Sequence, residues 1–206
     1  MFPLSTVLFP YAPLALHVFE PRYQALVADC LAGDGTFGVV LITRGSEVGG
    51  GDERAGVGTV ARIRDASPLP GGRWALSTTG VDRIGVVEWL PDSPYPLARV
   101  EDRPVRDGEP SGGGAALGEA LAAAVAAVRR ARALLSETGR APALAAGTAL
   151  SPDPGVAAWE VCALAALTPM DAQRLLVMDG HAARLAEVTA QATALAHDLA
   201  RMLAGG

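Results

Sequence analysis

Two residue types are missing from the 206-residue sequence: all 17 basic side chains are arginine, with no lysine, and there is no asparagine. The lack of lysine removes whole mechanisms. A P-loop needs its lysine on the phosphates, a serine–lysine protease needs lysine as base, and Schiff-base chemistry needs the side-chain amine. The same bias, with abundant Ala, Gly, Arg and Pro, points to a GC-rich genome rather than to a function. Cysteine is scarce: Cys30 and Cys162 sit in helix-like apolar patterns with no CxxC partner, which predicts buried thiols. Long apolar runs are missing too. Ala120 to Val128 is Ala-rich and stops at Arg129 and Arg130, too short to span a bilayer. Met1 to Leu16 is apolar but has no basic n-region and carries Pro3, Pro10 and Pro13, unlike a cleaved signal peptide. The expectation is a cytoplasmic protein with no membrane partner.

Positive charge is not in excess either. Net charge is −5, and the deficit is even, with 9 Arg against 12 acids over residues 1–103 and 8 against 10 over 104–206. A duplex-binding protein shows a basic face, so nucleic acid is disfavoured as a partner. With 50% hydrophobic and 19% charged residues the chain can bury a real core, as one domain or two closely packed subdomains.

The first half reads as short strands and turns. Phe37 to Ile42 is a continuous apolar run of strand length, expected to be buried on both faces. Val57 to Arg64 is strand-like. Arg73 to Thr79 alternates Trp74, Leu76 and Thr78 against Ala75, Ser77 and Thr79, and Pro70-Gly71-Gly72 before it predicts a hairpin. Val81 to Trp89, Leu97 to Glu101, Ser5 to Leu8 and Leu14 to Phe19 bring the count to six or seven strands, enough to close a small barrel. One helix interrupts them: Pro21 suits a first helical position, Tyr23, Leu26, Val27, Cys30 and Leu31 share one face, and Gly33 stops it.

Residues 104–114, with Pro, Gly and charge but no apolar period, read as a linker between a β-rich unit over 1–103 and a helical unit over 115–206. In the helical unit, Ala115 to Ser136 forms one helix, Asp153-Pro154 caps a second running to about Ala166, and Thr168-Pro169 starts a third with Asp171 in its first turn. The last helix runs from His181 to Leu203 with Leu185, Val188, Ala192, Leu195, Leu199 and Met202 in an a/d pattern. That seam is expected to pack internally on the helices at 115–136 and 154–166. Arg174, Arg184 and Arg201 would keep the outer faces solvated, giving a monomer or a weak homodimer.

The order of short motifs says more. Pro3 to Pro10 (PLSTVLFP), then Leu14 to Tyr23 (LALHVFEPRY), followed by Phe37 to Ile42, Val57 to Ala61 leading to Ile63, and Gly80-Val-Asp-Arg-Ile84, resembles the Lon protease N-terminal domain family, also called LON substrate-binding domains. Asp153-Pro154, Asp171 to Leu176 and Arg184-Leu185 fit the family's helical half. The resemblance covers nearly the whole chain. It implies an α+β fold, a PUA-like β pseudobarrel with one inserted helix followed by a C-terminal helical bundle. Full Lon proteases continue into an ATPase module and a serine–lysine protease module, whereas this sequence stops at Gly206 and holds no lysine for either. The resemblance therefore implies a stand-alone bacterial LON-domain protein, a non-enzymatic module that binds unfolded or peptide segments, as a protease adaptor or weak holdase. It carries over no catalytic residue and no cofactor. RNA binding is the alternative that a PUA-like barrel brings with it.

Phe19, Glu20, Pro21, Arg22, Tyr23, Gly80 and Arg83 are the signature residues, read here as structural. Glu20 favours the positive end of a helix, and an arginine of the barrel such as Arg83 is placed to pair with it. His17 reads as a satisfied strand histidine, since no HxxxH or HExxH spacing exists, and no metal site is expected. Gly49, Gly50 and Gly51 after Ser46 lack P-loop spacing, and neither Ser46 nor Ser77 lies in GxSxG. Peptide binding needs an apolar groove and a few polar anchors, and an open strand edge is an optional addition. Tyr11, Trp74 and Trp89, beside Pro-containing loops, are the candidate contacts. For RNA, the candidates are Arg62, Arg64 and Arg73 with Trp74.

Overall fold

Strand-forming residues place six strands in one sheet, and the computed structural model describes them within residues 1–45, 53–106, 113–139 and 149–204. The apolar run expected as a buried strand is the middle of β3 (Thr36–Arg44), where Phe37, Val39, Val40 and Leu41 are buried. It pairs antiparallel with β4 (Glu53–Leu69) and parallel with a short β1 (Phe2–Leu4). β4 turns through Pro70-Gly71-Gly72 into β5 (Arg73–Leu90). Gly71 and Gly72 take φ of 78° and 72°, the left-handed values that favour glycine. β5 then holds β2 (Pro13–Val18) on one stretch and β6 (Leu97–Asp102) on the other.

Three strand expectations change. Ser5 to Leu8 is not a strand; the first strand is Phe2–Leu4, and Leu8 and Phe9 are buried from irregular backbone. Arg73 to Thr79 and Val81 to Trp89 are one continuous strand of 18 residues, not two, because Gly80 continues the extended chain instead of breaking it. The short strands are in part long ones, with β4 at 17 residues, and register shifts between Thr59 and Ala61 and between Ile63 and Asp65 add local twist to it. The strands run in the order β1-β3-β4-β5-β2 with β6 beside β5, and among the described residues no ladder joins β1 to β2. The sheet is therefore not closed.

Between β2 and β3 lies α1 (Pro21–Ala32), with Pro21 at its first position and Gly33 at its end; Tyr23, Leu26 and Val27 are its buried face. Gly80 fixes the turn ahead of β2. Its N–H donates to the Ala12 carbonyl at 2.9 Å, its carbonyl accepts from Tyr11 N–H at 2.9 Å, and a Cβ added to it would lie 2.2 Å from the Phe9 carbonyl oxygen.

Contacts divide the chain into Met1–Pro104 and Val105–Gly206. Of the expected linker, residues 107–112 lie outside the described residues, as do Ser46 and Gly49 to Gly51. The second unit holds α2 (Gly113–Glu137), α3 (Pro154–Leu164), α4 (Pro169–Val177) and α5 (His181–Ala204). Both caps form: Asp153 Oδ1 accepts from Gly155 and Val156 N–H at 2.8 and 3.1 Å, and Thr168 Oγ1 accepts from Asp171 N–H at 3.2 Å. Asp171 lies well below the usual carboxylate range because the Thr168 hydroxyl and Arg174 stabilise its charge.

α5 packs against α2, α3 and α4, as the internal assignment of its seam requires. The seam is not a strict heptad, however. Past Ala192 the buried positions are Ala196 and Leu199, while Leu195 is half-buried and Met202 is 56% exposed. A straight helix keeps its 3.6-residue period, so a 3.5-residue stripe drifts off the buried face.

Arg184 is a second correction. It does not solvate an outer face but is fully buried. Its Nε donates to the Leu175 carbonyl at 3.0 Å and its Nη2 to the Met178 carbonyl. Nη1 lies 3.1 Å from His181 Nδ1, and the guanidinium carbon sits 3.6 Å over the Trp159 ring. A guanidinium only donates, so His181 Nδ1 presents its lone pair. Arg174 and Arg201 are exposed, on Asp171 and Asp198.

Two stability changes follow from these contacts. Arg184→Ala is expected to lower stability by about 3–5 kcal/mol, since the α4 carbonyls lose a buried charged donor, and Arg184→Lys recovers only part of it. Gly80→Ala is expected to cost about 1–3 kcal/mol through overpacking on Phe9. Urea unfolding measures both, and an unshifted midpoint in either variant contradicts the contact assigned to it.

Candidate functional site

The gap left between β1 and β2 is the feature of the β-rich unit that a ligand could use. β1 is paired to β3 and β2 to β5, and the residues of both strands line a cavity of about 200 Å³. Phe2 and Leu4 of β1, Val18 of β2 and Tyr23 of α1 form its buried wall. Phe2 and Tyr23 stack at 4.1 Å between ring centroids with 8° between planes. The mouth carries His17, exposed on β2, and Phe19, 54% exposed, with their rings 6.3 Å apart. Glu20 lines the cavity as well, and its Oε2 is held by Arg22 Nε and Nη2, both at 3.1 Å.

Arg22 also lies 4.6 Å from the centroid of the Tyr23 ring. Phe2 already covers one face of that ring, so Arg22 occupies the other, and the three side chains form a sandwich that holds Glu20. The expected Glu20–Arg83 pair is not made. Arg83 is buried on β5 and donates from Nη2 to the Pro104 carbonyl at 2.9 Å. His17 is likewise not satisfied inside the sheet but stands at the cavity mouth.

The aromatic candidates do not gather. Tyr11 is 47% exposed in the turn against Gly80, at φ 63°. Trp74 lies about 20 Å from Gly80 along β5 and Trp89 about 30 Å the other way. Trp74 borders a shallow concavity of about 690 Å³ with Leu31, Asp34, Arg64 and Asp65, and Trp89 lies under Arg54 at 4.5 Å. Of the basic cluster, Arg64 lines that concavity with Trp74 and its Nε reaches the Thr79 hydroxyl at 3.3 Å, Arg62 lies opposite Thr79, and Arg73 is at the hairpin end on the Pro70 carbonyl. Sequence reasoning missed Phe2, because it placed the first strand at Ser5 to Leu8. The signal was there, in Phe2 and Leu4 alternating around Pro3.

The cavity is smaller than the usual range for small-molecule sites, about 300–1,000 Å³, and accommodates one large side chain. A strand edge without a ladder is where an added strand can pair by its main chain, although Pro3 in the middle of β1 has no N–H to offer. Among the described residues no three His, Cys, Asp or Glu side chains form a group able to hold a metal ion, and no helix is long and apolar enough to cross a membrane.

A model of the ATP-dependent protease La (LON) substrate-binding domain matches residues 1–192. The chain belongs to this family. It is 35% identical over 107 residues to a Lon protease of Anaeromyxobacter dehalogenans and 34% over 98 residues to Lon protease 2 of Myxococcus xanthus, which uses 50% and 47% of this chain. It is 25% identical over 118 residues, 50% of this chain, to a LON peptidase N-terminal domain and RING finger protein of Schizosaccharomyces pombe. The aligned parts are 13%, 12% and 24% of those relatives' lengths. The crystal structure of a Lon N-terminal domain protein from Xanthomonas campestris superposes with a TM-score of 0.61 at 26% identity, over 92% of this chain and 95% of that one. The N-terminal domain of a Mycobacterium avium complex Lon protease gives 0.61 at 18%, over 93% and 94%, a likeness of fold. The LON N-terminal fold is thus a mixed α+β one here, with an open sheet and five helices among the described residues.

The cysteines of this LON domain are poor nucleophiles. Cys162 is buried and pushed up to about 12 by burial; Cys30 is half-buried, not fully buried as expected, is also raised by burial, and donates to the Thr36 carbonyl at 3.2 Å. Burial thus holds the Cys162 thiol protonated at pH 8. A thiol reagent at that pH is therefore expected to leave Cys162 unmodified in the folded protein and to label it at once in denaturant. Rapid native labelling of Cys162 contradicts the packing of α3.

Proposed function

We propose that the chain is a non-catalytic substrate-recognition module that binds unfolded or peptide segments as an added strand in the gap between β1 and β2. One observation carries the reading: two strand edges without a mutual ladder border an apolar cavity sized for one side chain, with Phe19 exposed at its mouth. Main-chain pairing supplies affinity that is indifferent to sequence, and the cavity supplies a preference for an apolar residue. Membership of a substrate-binding family supports the same reading. On it, Phe19, Glu20 and Tyr23 act at the binding site, and Tyr11, Trp74 and Trp89 do not.

Such a module serves as a protease adaptor or a weak holdase in the cytoplasm, as a monomer or weak dimer, its β-rich and helical halves joined by the residues between β6 and α2. RNA binding, the alternative, would draw on Arg64 and Trp74, which share one concavity, with Arg62 and Arg73.

A peptide array probed with the full chain tests the proposal. Peptides rich in large apolar residues are expected to retain it, and Phe19→Asp is expected to weaken retention about tenfold with no change in unfolding midpoint. Equal retention by Phe19→Asp, or no retention by any unfolded peptide, removes the site.

A further inference from the structure

We propose that Glu20 is the polar anchor of the cavity and makes it selective for a large apolar residue with a lysine or arginine beside it, and against the same residue beside an acid. The inference rests on the strand-addition reading above and adds the chemistry of the occupant. Glu20 is the carboxylate in a lining that is otherwise apolar or aromatic apart from His17, and no arginine is among the lining residues. Arg22 Nε and Nη2 meet Oε2 at 3.1 Å, and the carboxylate's second oxygen, Oε1, can accept from an entering donor. The carboxylate is also immobilised. Arg22 is itself laid on the Tyr23 ring at 4.6 Å, and that ring is stacked on Phe2, so the acceptor is fixed beside the surface that receives the apolar side chain. An apolar side chain on the Phe2–Tyr23 floor thus brings its neighbouring residue within reach of a fixed negative oxygen. A cationic donor there completes the carboxylate's hydrogen bonding, and a second carboxylate, which only accepts, cannot.

The test uses the full chain and a set of extended peptides, each with one phenylalanine flanked by lysine or by aspartate, with affinity read by fluorescence anisotropy. The unsubstituted protein is expected to bind the lysine peptide about tenfold more tightly than the aspartate peptide. Glu20→Gln should collapse that ratio towards one. Arg22→Met, which leaves the carboxylate but removes its cationic partner, should keep the ratio or enlarge it. A structural role for the Glu20–Arg22 pair predicts instead that both variants weaken all peptides alike and leave the ratio untouched, and that result overturns the proposal. Binding of both peptides with equal affinity by the unsubstituted protein overturns it too while leaving strand addition standing. No binding of either peptide overturns both. Thermal melts of the two variants check that they remain folded, and a second acidic probe, phenylalanine flanked by glutamate, must rank with aspartate.

Discussion

The stack of Phe2 on Tyr23 holds together what the β-rich unit needs at its open side. β1 is three residues long and has one ladder, to β3, so its own hydrogen bonds fix little. Stacking at 4.1 Å ties it to the first turn of α1, and Phe37 of β3 adds a tilted contact with Phe2 at 6.0 Å. Aromatic pairs contribute about 0.5–1.5 kcal/mol beyond their area, enough to decide the position of so short a strand. With β1 held there, the sheet keeps a gap at β2, and the same Tyr23 ring carries Arg22 and through it Glu20. One aromatic ring therefore organises the short strand, the helix start and the cavity wall.

The helical unit solves a different problem with Arg184. α4 has nine residues, too few to be stable by its own hydrogen bonds, and its last carbonyls point into the interior. A buried guanidinium donating to Leu175 and Met178 satisfies them and complements the negative end of the helix, while Trp159 covers its flat face. The planar fork is what allows one side chain to serve two carbonyls and a ring, which a lysine ammonium cannot do. In a chain without lysine, arginine thus takes the one basic role in which flexibility would be a fault.

Local chemistry was legible in the residues, and long-range geometry was not. Asp153-Pro154, Thr168-Pro169 and Pro70-Gly71-Gly72 each announced a cap or turn because the side chain that makes it lies within three residues of the backbone it serves. The α1 face was readable for the same reason. Whether six strands close a barrel depends on the register between β1 and β2, which are set by separate partners, and no local pattern encodes that. Gly80 reads as a strand break by propensity, but the Phe9 carbonyl 2.2 Å from the place of its missing Cβ shows that it is a point of close approach. Arg184 misled for a related reason. An arginine on a helix is normally at the surface, and the carbonyls that draw this one inward belong to another helix.

The candidate site follows the same division. The signature string Phe19 to Tyr23 was visible, but its partition into an exposed ring, a held carboxylate and a buried ring depends on Phe2, seventeen residues upstream of Phe19. A signature that encodes only a helix start would bury its large apolar member, whereas Phe19 is exposed where the backbone leaves β2. Leaving about half of that ring in water gives up about half of the roughly 1.5–3 kcal/mol that full burial supplies. A single exposed apolar side chain needs no explanation, but one set at the mouth of an apolar cavity, between two strands that no ladder joins among the described residues, fits the proposed role in binding. On the strand-addition proposal, recognition rests on main-chain pairing and apolar packing, and neither calls for a titrating base or a nucleophile.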